Sequence, residues 1–144
     1  MASKDPKVEL LNGLPEFAGS RRRELTRLVR WFDEAVIPAG TVFIKEGAVA
    51  RQVFLIVDGE AEVLQADRPI ARLLPGQFVG ELALLDNGRR SASVRAATNL
   101  HVLVANPAGF SALMEEPVVL RMLAGSMAGR LRRADAAAET AVAA

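Results

Sequence analysis

The sequence predicts a mainly β domain with flanking helices: an antiparallel β-barrel or double-stranded jelly roll with N-terminal helices and C-terminal helices. Two patterns lead to this prediction. Between residues 36 and 106 the apolar residues fall into short segments separated by turns that contain glycine. On either side of that region, apolar residues recur at the spacing of helices. Short strands that are close along the chain pair as antiparallel hairpins, and a sheet can hide its edges by closing on itself.

Residues 1–35 are predicted to form the N-terminal helical segment. Apolar residues from Val8 to Phe17 fit short helical turns. Ser20 has a side chain suited to capping a helix N-terminus, so we expect a helix that runs from Arg21 to about Phe32. The arginines at positions 21–23 are interpreted as a solvated face, with a partner-binding patch as the alternative, because the dipole at a helix start disfavours cations.

The β region, residues 36–106, contains six predicted strands, each a short segment bounded by turn residues. Glycine takes the positive φ of tight turns at little cost, and the turn glycines are Gly40, Gly47, Gly59, Gly76 and Gly88. The predicted strands are Val42–Ile44, Val53–Val57, Ala61–Gln65, Ile70–Leu74, Ser93–Ala96 and Leu100–Ala105.

Residues 107–144 are predicted to form the C-terminal helices. A short helix follows Asn106 and stops near Pro117, because proline interrupts helical hydrogen bonds. A longer helix begins at Val118, and its apolar face packs on the core or, in a second interpretation, forms a subunit interface. The Ala-rich end has little to bury, so we expect an exposed helix that frays without a partner or ligand. The three segments together form one domain.

The composition excludes several classes of protein. A chain of 144 residues with 51% hydrophobic residues is long enough for one domain with a core. Its 18 basic and 17 acidic residues give a net charge of +1, which does not favour nucleic acid as a partner. The sequence contains no cysteine, which excludes disulfides, thiolate catalysis and zinc–thiolate sites.

Neither membrane insertion nor catalysis has support in the sequence. No apolar run approaches the roughly 20 residues of a membrane span, and the polar N-terminus lacks the apolar core of a secretion signal. The chain has no Ser/His/Asp or Cys/His set and no Walker Gly-Lys-Ser sequence. We expect the one histidine, His101, on a strand surface or in the core rather than at a metal. The expectation is a cytoplasmic protein that is not an enzyme and holds no cofactor.

The segment from Phe78 to Val94 carries the groups needed to hold a sugar phosphate. Gly80 allows a ligand close to the backbone, and the N–H groups of a short helical turn point at an anion. Arg90 can donate a charge-assisted pair of hydrogen bonds to phosphate oxygens, and Glu81 can accept from a ribose hydroxyl. The predicted ligand is a nucleotide with one accessible phosphate. In the alternative, Glu81 and Arg90 simply pair with each other.

Several short motifs follow one another in a characteristic order: Pro38-Ala39-Gly40, Lys45-Glu46-Gly47, Val53 to Gly59, Leu74-Pro75-Gly76, Phe78 to Ala83 and Arg90 to Val94. This order resembles the cyclic nucleotide-binding domain family. The resemblance extends from about Leu11 to Arg133 and is most specific where Gly-Glu-Leu is followed, at a fixed spacing, by Arg-Ser-Ala. In the family this part, residues 78–94 here, is the phosphate-binding cassette.

The resemblance implies a role for each cassette position. Arg90 would pair with the cyclic phosphate, and Glu81 would accept from the ribose 2′-hydroxyl. Backbone N–H groups near Leu82 and Ala83 would complete the phosphate cradle. The implied ligand-binding residues are Val79, Gly80, Glu81, Leu82, Ala83, Arg90, Ser91 and Ala92.

Four further residues are implied as contacts of the base or of a C-terminal helical lid. Val63 and Leu73, on facing strands, are candidates for the apolar seat of the base. Arg130 falls where the family has an arginine near the phosphate, and Asp135 lies where the long helix meets the base. Asp135 can accept from the amino group of adenine or from guanine, and the resemblance favours cAMP over cGMP.

The leading hypothesis is a stand-alone cyclic nucleotide sensor that couples ligand binding to movement of its C-terminal helix. Its effector is an unknown protein, a homodimer through the C-terminal helix is one alternative, and no direct DNA binding is expected because no helix-turn-helix follows. The second hypothesis is a protein-interaction module of the same fold that acts without a nucleotide.

Overall fold

The computed structural model describes residues 5–80 and 88–143, without the side chains of residues 130, 131 and 133–143. Its N-terminal part contains helix α1 (Pro6–Asn12), a 3-10 turn (Pro15–Phe17) and helix α2 (Arg22–Val29). Asp5 caps α1 by accepting from the backbone N–H of Lys7 at 2.9 Å.

Helix α2 is shorter than predicted at both ends. Its N-cap is Arg21, with no side-chain capping bond, so the prediction of Ser20 as the cap was wrong. The helix stops at Val29 because the chain must turn into the first strand, which begins at Asp33. This strand carries Asp and Glu, which are uncommon in strands, and it was therefore missed.

Eight strands of the described chain form two four-stranded antiparallel sheets. The inner sheet has the order β1-β8-β3-β6, and the outer sheet has the order β2-β7-β4-β5. The strands are β1 (Asp33–Ile37), β2 (Val42–Ile44), β3 (Val53–Asp58), β4 (Ala61–Gln65), β5 (Arg68–Leu73), β6 (Phe78–Val79), β7 (Ser93–Ala96) and β8 (Leu100–Ala105).

This arrangement confirms the jelly roll and corrects the alternative of a closed barrel. Within the described residues the strands form two separate sheets, each with two edge strands. The sheets need not close into a barrel, because the edge strand β5 is protected from pairing with other strands by its own residues. It carries Pro69, which cannot donate to a neighbouring strand, and the exposed cations Arg68 and Arg72.

The inner sheet is the middle of three layers, with helices on one face and the outer sheet on the other. Strand β3 shows this directly, because alternate residues of a strand point to opposite faces. Val53 and Leu55 pack in a cluster with the helices, whereas Phe54 and Ile56 pack between the two sheets. The inner sheet therefore contributes to both cores.

The C-terminal part contains helix α3 (Pro107–Leu113) and helix α4 (Pro117–Ala143). Asn106 caps α3 by accepting from the backbone N–H of Gly109 at 2.7 Å. The first turns of α4 are anchored in the helical core by Val119 and Leu123, which are buried. None of the described helices combines the length and the apolar character that crossing a lipid bilayer requires.

Candidate functional site

Gly80 follows β6, the short edge strand of the inner sheet. Strand β6 pairs with β3, with Val79 opposite Phe54, so the backbone at Gly80 is held close to the core. The φ angle of Gly80 is +88°, in the left-handed region that favours glycine. A Cβ at this position would overlap with Nη1 of Arg90 and lie 3.2 Å from Cδ1 of Ile44. A side chain at this position would therefore have both to displace the Arg90 guanidinium and to adopt a strained φ angle.

Arg90 is the one charged side chain that is buried among the residues the structure describes, with 8% of its surface exposed. Its Nη1 donates to the backbone oxygen of Gly80 at 2.5 Å, and its Nη2 donates to the backbone oxygen of Gln52. Burying a charge costs several kcal/mol unless hydrogen bonds or an opposite charge compensate for it. The two carbonyls supply part of that compensation and fix the plane of the guanidinium.

The loop between β2 and β3, residues 45–52, lies against the segment that carries Arg90. The backbone N–H of Gly47 donates to the oxygen of Arg90, and the N–H of Arg90 donates to the oxygen of Ala48, each at 2.8 Å. Nη1 of Arg89 also donates to the oxygen of Gly47 at 3.0 Å. Sequence reasoning gave this 45–52 loop no role at the site, although its Lys45-Glu46-Gly47 motif belongs to the resemblance.

The structure places the other cassette residues as follows. Val79 is buried between the two sheets, Ser91 is exposed, and Ala92, immediately before β7, is partly buried. Gly80 and Arg90 are in direct contact, a pairing that was not predicted from the sequence. Glu81, Leu82 and Ala83 lie outside the described residues.

The two candidates for the seat of the base face the space between the sheets. Val63 on β4 is partly buried against the inter-sheet cluster and lies opposite Val94, in the strand that follows Arg90. Leu73 on β5 is buried in the same cluster, opposite Ala61. The structure therefore places both on one apolar surface. The side chains of Arg130 and Asp135, in α4, lie outside the described residues.

A separate open cleft lies between the 3-10 turn, the β5–β6 turn and α4. Its volume is about 400 Å³, and its polar side chains are those of Glu16, Gln77, Arg121 and Ser126. The cleft does not include Gly80 or Arg90. Within the described part of the chain, its lining and the buried Arg90 therefore have no residue in common.

The outer face of the outer sheet carries an ion-pair network. Nη2 of Arg95 donates to Glu62 at 2.8 Å, and Arg72 lies 3.6 Å from the other oxygen of the same carboxylate. The hydrogen bond from Arg95 holds the pKa of Glu62 below its usual value. Because Val94 faces the inter-sheet core, its neighbour Arg95 points away from the site.

Two other charged contacts lie away from the cassette. Nε2 of His101 is 2.6 Å from Oε1 of Glu34 across the β1–β8 pair, which agrees with a strand-surface histidine. Arg27 on α2 donates to Glu116, the residue before α4, and this bond raises the pKa of Arg27 above its usual value. Among the described residues, no group of three His, Cys, Asp or Glu side chains could hold a metal ion.

Fold and site together define a jelly-roll binding domain built around a buried arginine beside a positive-φ glycine. The family model for the cyclic nucleotide-binding domain matches residues 34–117. The chain belongs to the cyclic nucleotide-binding domain family, as its motifs indicated.

Relatives of different kinds share this domain. The cyclic AMP receptor protein of Thermus thermophilus is 30% identical over 131 residues, which are 87% of this chain and 61% of that protein. A cyclic nucleotide-gated potassium channel of Rhizobium etli is 37% identical over 95 residues, covering 66% of this chain and 26% of the channel. The crystal structure of the Thermus thermophilus catabolite activator protein superposes with a TM-score of 0.75 at 29% identity, covering 89% of this chain and 63% of that one. The chain spans less than two thirds of each of these proteins.

Proposed function

We propose that this domain is a regulatory sensor that binds a cyclic nucleotide, cAMP in preference to cGMP, through Arg90. The observation that carries the proposal is the burial of the Arg90 guanidinium beside Gly80. A cyclic phosphodiester carries one negative charge, which one arginine can neutralise. A guanidinium has five N–H donors in a planar fork, so bonds to two carbonyls are compatible with pairing to an anion. The relative from Thermus, named a cyclic AMP receptor, supports cAMP as the ligand.

The remaining cassette positions would complete the site. Glu81 would accept from the ribose 2′-hydroxyl, which a 2′-deoxy ligand would leave unpaired. Backbone N–H groups near Leu82 and Ala83 would bind the phosphate, with Ser91 beside it. These roles rest on the position of each residue within the family motif.

The base would lie toward the apolar surface of Val63 and Leu73. Both residues belong to the inter-sheet cluster, which supports an apolar environment next to the cassette. Arg130 and Asp135 would approach the ligand from α4. The carboxylate of Asp135 would select the base, because it accepts from an amino group.

Ligand binding would be transmitted by a change in the position of α4. The helix is anchored at its first turns by Val119 and Leu123, and Ala124 and Gly125 beyond them are exposed. A ligand shifts such an equilibrium only by the difference between its affinities for the two states. Contacts from α4 to the nucleotide would supply that difference.

Isothermal titration of the protein with cAMP and with cGMP tests the proposal. We expect binding of both, tighter for cAMP, and a loss of about 100-fold or more in Arg90→Ala because the phosphate charge is left unpaired. Arg23→Ala, which removes an exposed cation from α2, is the matched control and should bind as the wild type does. No heat from either nucleotide at about 1 mM ligand, a concentration that detects even weak binding, would overturn the proposal.

A second candidate is a protein-interaction module of the same fold that acts without a nucleotide. It is favoured by one observation: carbonyls of the protein itself already hold the Arg90 guanidinium, so the arginine has a structural role as well. The module predicts that Arg90→Ala leaves binding of the effector protein unchanged. The near-neutral net charge of +1 supports a protein rather than DNA as the effector in either case.

A further inference from the structure

The 45–52 loop holds Arg90 at both ends of the residue. On the backbone side, Gly47 and Ala48 exchange two hydrogen bonds with Arg90, each 2.8 Å long. On the side-chain side, the oxygen of Gln52 accepts from Nη2. The loop therefore fixes the position of both the backbone and the guanidinium group of Arg90.

Gly47 is the residue of this loop that depends on glycine. Its φ angle is +85°, a conformation that side chains with a Cβ rarely adopt. A Cβ built on Gly47 meets no atom within 4 Å, so the obstacle to a side chain is conformational rather than steric. An alanine here would drive φ toward negative values and turn the N–H away from the oxygen of Arg90.

The chain contains a matched counterpart at the other end of β2. Gly40 has a φ angle of +89°, and a Cβ there also meets nothing within 4 Å. Its N–H donates to Ala96 at 2.7 Å, and the N–H of Ala96 donates to Thr41 at 2.9 Å, which repeats the pattern of Gly47, Arg90 and Ala48. The two glycines differ in what they hold: Gly40 holds Ala96, and Gly47 holds Arg90.

We propose that Gly47 is a positioning residue for the phosphate-binding arginine, acting through its bond to the backbone of Arg90. This inference rests on the proposed function, since the placement of Arg90 affects affinity only if Arg90 binds the nucleotide. A glycine that positions Arg90 changes ligand affinity, whereas one that only shapes a turn changes stability alone.

Titration of Gly47→Ala and Gly40→Ala with cAMP compares the two positions, with thermal unfolding of both to confirm a similar loss of stability. We expect Gly47→Ala to weaken cAMP binding by about 10-fold or more, and Gly40→Ala by less than about 3-fold, because only the first displaces a ligand contact. In an Arg90→Ala background, Gly47→Ala should cost no further affinity, since residues that act through each other are not additive. Equal losses at the two glycines, or full additivity with Arg90→Ala, would overturn the inference.

A rescue variant tests whether the positive φ angle at Gly47, rather than glycine as such, is what cAMP affinity requires. Asparagine tolerates the left-handed region better than alanine, so Gly47→Asn should recover most of the affinity that Gly47→Ala loses. An affinity of Gly47→Asn as low as that of Gly47→Ala would contradict the inference. This variant also serves if Gly47→Ala does not fold.

A measurement without nucleotide distinguishes failure of this inference from failure of the proposed function. The NMR signal of the Arg90 Nε–H group is identified by its absence in Arg90→Ala. In ligand-free protein it should shift or broaden in Gly47→Ala and stay in place in Gly40→Ala. If the wild type binds no nucleotide, the proposed function fails, and this signal still decides whether Gly47 positions Arg90. An unchanged signal in Gly47→Ala would refute the positioning role.

Discussion

Nη1 of Arg90 occupies the space that a side chain at Gly80 would need, and the same atom donates to the backbone oxygen of Gly80 at 2.5 Å. The two residues are therefore coupled. The glycine makes room for the arginine, and the arginine covers the backbone where the chain leaves β6.

The first prediction concerns Gly80→Ala. A methyl group here must displace the Arg90 guanidinium and adopt a positive φ angle, so we expect a loss of about 1–3 kcal/mol in the free energy of unfolding. Binding of cAMP should be lost as well, because the guanidinium no longer lies in its place. Chemical denaturation and titration measure the two effects. Gly19→Ala is the control, since a Cβ there meets nothing within 4 Å, and normal stability of Gly80→Ala would contradict the packing described.

The second prediction concerns Arg90→Lys, which keeps the charge but loses the planar fork. A lysine ammonium cannot reach the oxygens of Gly80 and Gln52 in the same geometry, so one of these two carbonyls loses its partner. We expect a loss of about 1–2 kcal/mol in the free energy of unfolding and about 10-fold or more in cAMP affinity. Arg68→Lys, at the exposed edge of β5, should change neither quantity. Full affinity in Arg90→Lys would show that charge alone is sufficient.

The third prediction is a pH dependence at Glu62. Its pKa in the folded protein is lowered, chiefly by the hydrogen bond from Arg95, below the ordinary value of 4.5. The ionised carboxylate therefore stabilises the folded protein above about pH 4.5. This contribution is lost as the pH falls through the pKa that Glu62 has in the folded protein. The difference in Tm between the wild type and Glu62→Gln should be largest near neutral pH and vanish in acid. Replacing the partner, in Arg95→Met, should remove the same pH dependence of stability. A difference in Tm between the wild type and Glu62→Gln that stays constant from about pH 7 to about pH 3 would contradict the prediction.

The fourth prediction concerns the core between the inner sheet and the helices. Leu103 on β8 is fully buried there, opposite Leu55 in the β3–β8 register. Leu103→Ala should lower the free energy of unfolding by about 2–5 kcal/mol, since it removes apolar contact and leaves a cavity. Val36→Ala, on β1 of the same sheet, should change it by less than about 0.5 kcal/mol, because Val36 is 70% exposed. Equal effects at both positions in urea denaturation would contradict the layer assignment.

Much of the fold follows from local patterns in the sequence. The predicted bounds of Val42–Ile44, Ala61–Gln65, Ser93–Ala96 and Leu100–Ala105 match the observed strands. In these segments the short run of strand-forming residues and the flanking turn residues both indicate a strand with the same bounds. Strand β1 was missed because it carries acidic residues, and β6 because two residues are too few to show a period.

The sequence identified candidate side chains for the site, whereas the backbone partners of Arg90 could not be predicted from it. Gly80 and Arg90 carry distinctive chemistry at a characteristic spacing, which made them candidates, but their contact with each other was not predicted. The oxygen of Gln52 also holds Arg90, yet every residue has a backbone oxygen, so no sequence pattern identifies which one will serve. The choice between two open sheets and a closed barrel likewise depends on tertiary pairing, which local periodicity does not determine.

The double burial of β3 has a consequence for tolerance to substitution. Val53, Phe54, Leu55 and Ile56 each lie in a core, so a mutational scan of this strand should show a continuous intolerant block. Strand β5, in which every residue before Leu73 is exposed, should accept polar residues at most of those positions. In comparisons among homologues, β3 should therefore vary only among apolar residues of similar size. A substitution on one face of the strand should be accompanied by a compensating change in the core on the other face.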